Sequence, residues 1–141
     1  MIWVGVDVLT PELFLSFYDQ CGLEQPCREQ VSQALSHTLA SFVIYEGNHP
    51  MGMCRMLGDN ALRYCLQDLI VLPQYRNMGV GRRLMAEVER HIRSHLQPGW
   101  KATVEVVCDR KAESFYRQMG FTFQQHVGLL KNIFPEENPI E

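Results

Sequence analysis

Residues 65–107 constrain the fold of this chain more than any other stretch. Cys65-Leu-Gln-Asp-Leu-Ile-Val-Leu72 is a mostly apolar run stopped by Pro73, so it reads as a buried strand. A loop with two glycines, Gly79 and Gly81, follows it. From about Gly79 to Leu96 the period changes. Val80, Leu84, Val88, Ile92 and Leu96 recur every four residues, while Arg83, Glu87, Arg90 and Arg93 fall on the other face. That is the pattern of an amphipathic helix. Gln97-Pro98-Gly99 ends it, and Lys101-Ala-Thr-Val-Glu-Val-Val107 reads as another strand. A strand, a helix and a strand joined so closely require a crossover. The crossover makes the two strands parallel, and neighbours in one sheet.

The rest of the chain supplies antiparallel strands and covering helices. Residues 2–8 alternate like a strand. Thr10-Pro11 is an N-cap followed by proline at the first helical position, and Leu13, Phe14, Phe17 and Tyr18 form the inward stripe of that helix. Gly22 to Pro26 breaks it, and a second short helix is expected over 27–37, with Val31, Ala34 and Leu35 inward. Residues 40–45 and 51–57 read as strands on either side of a turn. Gly58-Asp59-Asn60 turns again into the strand that stops at Pro73. Lys111 to Met119 reads as a helix closed by Gly120, and 121–127 with 128–134 as a final strand pair. The expected architecture is α/β (α+β): one domain over 1–141 with a mixed, mostly antiparallel central sheet flanked by helices. A polar tail occupies about 135–141.

Composition narrows the function classes. A length of 141 residues buries a core without disulfide or metal staples. The formal net charge of -3 argues against wrapping nucleic acid. No apolar run reaches the roughly 18 residues of a membrane helix, and the first residues lack a basic leader, so a cytoplasmic protein is expected. The five cysteines are odd in number and irregularly spaced. They suggest neither a disulfide framework nor a metal site. The scattered histidines point the same way, and the methionines read as core filler.

Leu69 to Leu84 is the most informative segment. A strand runs into Pro-Gln-Tyr-Arg76-Asn77-Met78-Gly79-Val80-Gly81-Arg82, where a helix begins. A helix start offers unpaired N–H groups and the positive end of the helix dipole. Glycines let a ligand approach the backbone closely. Such a site suits a diphosphate. Arg76, Arg82 and Arg83 crowd the positive end, where cations are unfavourable unless an anion offsets them. No Gly-Lys-Ser/Thr follows, and the spacing is not G-x-G-x-x-G, so neither a Walker loop nor a dinucleotide loop fits.

The segment resembles the acetyl-CoA-binding motif of the GCN5-related N-acetyltransferase (GNAT) superfamily, Arg/Gln-x-x-Gly-x-Gly/Ala, matched by Arg76, Gly79 and Gly81 after the apolar Leu69-Ile70-Val71. Ala112-Glu-Ser-Phe115-Tyr116-Arg-Gln-Met-Gly120-Phe121 is similar to a second motif of that family, Ala-x-x-Phe-Tyr-x-x-x-Gly-Phe. The resemblance covers about residues 40 to 127. It implies acetyl transfer from acetyl-CoA to an amine, with no metal. The sheet would splay between the strand ending near Val71 and the strand 102–107, and the pantetheine arm would pair with Leu69, Ile70 and Val71. Amides from Asn77 through Met78, Gly79, Val80 and Gly81 to Arg82 would hold the diphosphate. Phe115 would pack near the cofactor. The resemblance also allows a homodimer.

Tyr116 is the implied general acid, because a phenol with a pKa near 10 keeps its proton at neutral pH. The base is open. Relatives project a carboxylate or histidine from positions that here hold Cys65 and Gln67, neither a good base. Asp68 is adjacent, but strict alternation turns it to the other face, and only a β-bulge would restore it. Glu105 interrupts the apolar strand 102–107, expected to be mostly buried. Water is a third route for the proton. Tyr18, Arg55 and Gln67 are the candidates for the acceptor side. A non-catalytic relative that binds acyl-CoA as a sensor, and a nucleotide-binding regulator using the loop without CoA, are the alternatives.

Overall fold

A computed structural model describes residues 1–136. The chain divides into two compact units, the first running from Met1 to Val106 and the second starting at Val107.

The first unit holds β1 (Ile2–Val6), α1 (Pro11–Gln20), α2 (Arg28–Ser36), β2 (Ala40–Glu46), β3 (His49–Gly58), β4 (Arg63–Val71), α3 (Val80–His95) and β5 (Thr103–Val106). Its five strands form one sheet in the order β1-β2-β3-β4-β5. β1 to β4 pair antiparallel and β4 pairs parallel with β5, as the crossover through α3 demands. Among the described residues no helix is long and apolar enough to cross a membrane.

Strand alternation separates two covered faces. Phe42 packs edge-on to His91 of α3, with ring centroids 5.5 Å apart. Val43, its neighbour, belongs instead to the cluster of Leu9, Phe14, Phe17, Val31, Met53 and Leu72 under α1 and α2. Val80, Leu84, Val88 and Ile92, the expected stripe of α3, are buried together with Met85. Burying each such side chain contributes about 1.5–3 kcal/mol. Met51, Met53 and Met56 are core, as expected, whereas Met78 stands 67% exposed. All five cysteines are free thiols.

Local signals set the ends of the elements. Thr10 caps α1, its hydroxyl accepting from the Leu13 amide at 3.1 Å, and Pro11 opens the helix. Gly58 cannot be replaced cheaply: a Cβ there would lie 2.2 Å from the Arg63 carbonyl. In the turn that follows, the Asp59 carboxylate accepts from the amides of Ala61, Leu62 and Arg63 at 2.9, 2.7 and 3.0 Å. These bonds hold the Asp59 carboxyl below its ordinary range and fix where β4 begins.

The second unit contains α4 (Arg110–Gln118), capped by Asp109, whose carboxylate accepts from the Ala112 amide at 3.1 Å. Gly120 follows with φ +96, the left-handed conformation of a helix stop. The expected strand pair over 121–127 and 128–134 is absent. Those residues form no strand, and Phe123, Val127, Leu129, Leu130 and Ile133 are exposed. Alternation in a sequence marks which side chains share a face. It cannot supply the neighbour that a strand needs for its main-chain groups. The polar tail from 137 onward lies outside the described residues.

Candidate functional site

β4 outruns its parallel neighbour. Arg63, Tyr64, Cys65 and Leu66 face Thr103, Val104, Glu105 and Val106 of β5, and the pairing stops there. Gln67 through Val71 continue with β3 on one side only. The sheet therefore opens where the splay was expected. On the closed side the register slips: Met53 faces Ile70 and Arg55 faces Gln67, so one residue of β3, Cys54, spans two of β4, Asp68 and Leu69. This is a β-bulge. Asp68 sits in it at φ +53, left-handed for a residue with a side chain, at a cost of about 1 kcal/mol. Asp68 and Leu69 are the β4 residues with no register partner on either neighbour.

Beyond the bulge the main chain of Val71 faces the open side. Leu72 donates its N–H back to the Met51 carbonyl at 2.9 Å, so the adjacent residue points away from β3. The Val71 carbonyl instead accepts from Arg76 Nε at 3.0 Å. Ile70 turns the other way: its carbonyl lies against Gly52, and its side chain packs on the α1 cluster.

The loop then delivers the chain to the start of α3. Pro73–Tyr75 form one 3-10 turn, Asn77 is left-handed at φ +62, and Gly79 is the N-cap of α3 at φ +79. No side chain caps the helix, and no acid lies in its first turn. The first backbone bond is donated by Arg83 to the Gly79 carbonyl at 3.0 Å, which leaves the Val80 and Gly81 amides directed out of the helix start. A Cβ on Gly79 would meet nothing within 4 Å, so its open flank accepts a close approach. Met78 and Arg82 are exposed beside it. An uncapped helix start with cations and no acid fits a diphosphate chemically. Arg76 does not point free into this space. Besides holding Val71, its Nη2 lies 3.7 Å from Cys21 Sγ at the end of α1.

The bulge brings Asp68 to the α1 face of the sheet, where strict alternation would not have put it. Tyr18 of α1 donates its hydroxyl to Asp68 Oδ1 at 2.5 Å, and Arg55 of β3 donates Nε to Oδ2 at 2.6 Å. Arg55 Nη1 reaches Thr38 Oγ1 at 3.3 Å. The Arg55 and Asp68 side chains are only 17% and 14% exposed. Burial first, and then the bond to Asp68, hold the Tyr18 hydroxyl well above the ordinary phenol range. Cys54, fully buried beneath, is pushed up to about 12 by burial and then by the Asp68 charge. On the same face Gln67 Nε2 donates to Cys65 Sγ at 3.1 Å. Tyr18, Arg55, Gln67 and Asp68, singled out separately in the sequence, thus share one face. Thr38 and Cys21 were missed, because only folding brings their positions here.

Glu105 differs from expectation. It faces Cys65 across the parallel ladder, but its side chain is 58% exposed and pairs with Arg63 Nη1 at 3.2 Å. Along β5 Thr103 and Glu105 are exposed while Val104 and Val106 are half-buried, so the acid lies on the wet face of the strand and needs no buried partner. In the second unit Tyr116 is 7% exposed and packs edge-on to Phe115 and Phe121, with centroids 5.1 and 5.5 Å away. Among the described residues no group of three or more His, Cys, Asp or Glu side chains is arranged to hold a metal ion.

Comparison with known proteins adds to this geometry. The acetyltransferase (GNAT) domain family matches residues 37–123. A histone acetyltransferase from Glycine max, TAP1, is 33% identical over 79 residues, which cover 54% of this chain and 32% of that one. The chain spans about a third of the length of such curated relatives. A GNAT-family acetyltransferase from Streptococcus pneumoniae superposes with a TM-score of 0.76 at 29% identity, over 96% of this chain and 100% of the other. A Staphylococcus aureus protein of unknown function superposes with a TM-score of 0.82 over 94% and 100%; at 22% identity it speaks for the fold alone.

Proposed function

This chain belongs to the acetyltransferase (GNAT) domain family, and from that premise we propose that it moves the acetyl group of acetyl-CoA directly onto a primary amine of a small molecule or peptide. The open half of β4, running past its last β5 partner at Leu66 toward an uncapped helix start, carries this reading. A main chain bonded on one side only accepts an extended ligand as an added strand. Leu69, Ile70 and Val71 are the residues for the pantetheine arm, and an amide in the bulge is the donor that polarises the thioester carbonyl. The amides from Asn77 to Arg82 hold the diphosphate. Arg76 stiffens the turn between them through Val71.

In the transfer the amine lone pair forms the new C–N bond as the C–S bond breaks. The electron pair leaves on sulfur, and Tyr116 supplies its proton there as general acid. The amine's own proton leaves to Glu105, to Asp68 or to water. Phe115 packs on the cofactor, and Tyr18, Arg55 and Gln67 line the acceptor side.

A second reading is favoured by one observation. Both candidate bases are engaged, Asp68 by Tyr18 and Arg55 and Glu105 by Arg63. A domain that binds acyl-CoA without turning it over would tolerate that arrangement. A thermal-shift panel of CoA, acetyl-CoA, ATP and NAD, followed by thiol release with a panel of amines, separates the two. Stabilisation by CoA with turnover supports transfer, stabilisation without turnover supports the sensor, and stabilisation by ATP alone sinks both. In the active protein Tyr116→Phe is expected to lower kcat by about 10²-fold or more, with acetyl-CoA affinity near wild type. Equal kcat removes Tyr116 as the acid.

A further inference from the structure

The cluster around Asp68 allows a sharper assignment, which rests on the transfer reading above. We infer that Asp68 is a positioning residue and not the base: with Tyr18 and Arg55 it clamps the β4 bulge and so fixes the main chain that lines the open half of the strand.

A base needs a lone pair aimed at the proton it removes. Here one carboxylate oxygen accepts from Tyr18 at 2.5 Å and the other from Arg55 at 2.6 Å, so a proton taken on the lone pairs that remain would come at the expense of both bonds. Burial, and then the bond to Asp68, raises the Tyr18 hydroxyl, so that donor keeps its proton. Asp68 is therefore the receiving end of two charge-assisted bonds, the strong class of hydrogen bond.

The backbone points the same way. A left-handed position inside a strand is ordinarily filled by glycine, which adopts it without strain. Asp68 occupies it at φ +53, a conformation that aspartate reaches at single positions where its side chain is hydrogen-bonded. The clamp ties three elements together: Tyr18 comes from α1, Arg55 from β3 and Asp68 from β4. Thr38, just past the end of α2, joins through Arg55 at 3.3 Å. One carboxylate thus sets both the bulge, where Asp68 and Leu69 lack ladder partners, and the helix that borders the acceptor face.

Two variants leave Asp68 in place and loosen its hold. Tyr18→Phe keeps the ring that stacks on Phe14 at 4.6 Å and removes only the hydroxyl. Arg55→Lys keeps a cation without the fork. The full chain carrying each is examined by amide hydrogen exchange and by the pH profile of kcat/KM. We expect exchange at Gln67 and Ile70, which flank the bulge, to quicken about tenfold for the loss of one such bond, with Tyr64 in the paired half as an unmoved control. We expect kcat to fall about tenfold and the acid limb of the pH profile to stay where it is. Were Asp68 the base, loosening its donors would carry that limb to higher pH. That shift, or unchanged exchange at Gln67 and Ile70, overturns the inference. Asp68→Gly, which suits the left-handed backbone, is expected to retain reduced turnover with the limb in place; disappearance of the limb assigns the base to Asp68. Should the wild-type chain acetylate no amine in the panel, the transfer reading fails, while the exchange measurement still decides the clamp.

Discussion

The two halves of β4 share one strand and do different work. From Arg63 to Leu66 it is an inner strand, bonded to β3 on one side and β5 on the other, with Tyr64 and Leu66 buried. From Gln67 to Val71 it has one neighbour, a bulge and only half-buried side chains. Pairing on both sides uses up the main chain and leaves the side chains to build the core. Pairing on one side leaves N–H and C=O groups to be used by something else. The same contrast explains where polar residues are tolerated. The inner half has a regular register, and the open half holds Asp68 only because Tyr18 and Arg55 satisfy it.

The largest effect that tests this contrast is a matched pair of truncations. Leu66→Ala removes a side chain that is 2% exposed, and should cost about 2–5 kcal/mol in denaturant unfolding. Gln67→Ala, one residue on, should stay within about 0.5 kcal/mol and show itself in turnover instead. Similar losses of stability from both would erase the division between the halves.

A smaller effect is expected where the open half runs out. Gly79 is left-handed, with open space around its Cβ position. Gly79→Val should therefore cost about 1–2 kcal/mol through backbone strain alone, with no clash. Its sharper consequence is weaker acetyl-CoA binding in titration calorimetry, since the added side chain fills the flank that a ligand needs. Full affinity in that variant would reduce the loop to a turn.

The smallest effect lies at the entry to the paired half. Asp59 has a depressed pKa because backbone amides bond its charged form. Its contribution to stability is present above the unfolded carboxylate pKa and is lost as pH falls through the lower folded value. Asp59→Asn should lower the melting temperature slightly at neutral pH and flatten its decline below about pH 4. A melting curve with the wild-type acid dependence would show that the turn does not depend on this charge.

Much of this molecule is legible in its sequence, for reasons that differ from element to element. The four-residue recurrence from Val80 to Ile92 defines α3, because a helix with one covered face must repeat that way. Thr10 and Pro11 mark the start of α1 because their chemistry is local. The parallel pairing of β4 with β5 follows from connection length alone. Glu105 misled because an acid in an apolar run suggests burial, and the sequence does not reveal that the face of β5 holding Thr103 and Glu105 is exposed. The pattern over 121–134 likewise promised a strand pair that the described residues do not form.

Local and periodic signals, then, determined the elements as far as α4, their order, the parallel pair and the two family motifs, since each depends on residues near one another along the chain. The tertiary structure alone decided the bulge at Asp68, the side of the sheet it faces, and its two donors from α1 and β3. The physical reason is register. A slip of one residue between β3 and β4 changes no composition and no period, yet it carries a carboxylate from one face of a sheet to the other.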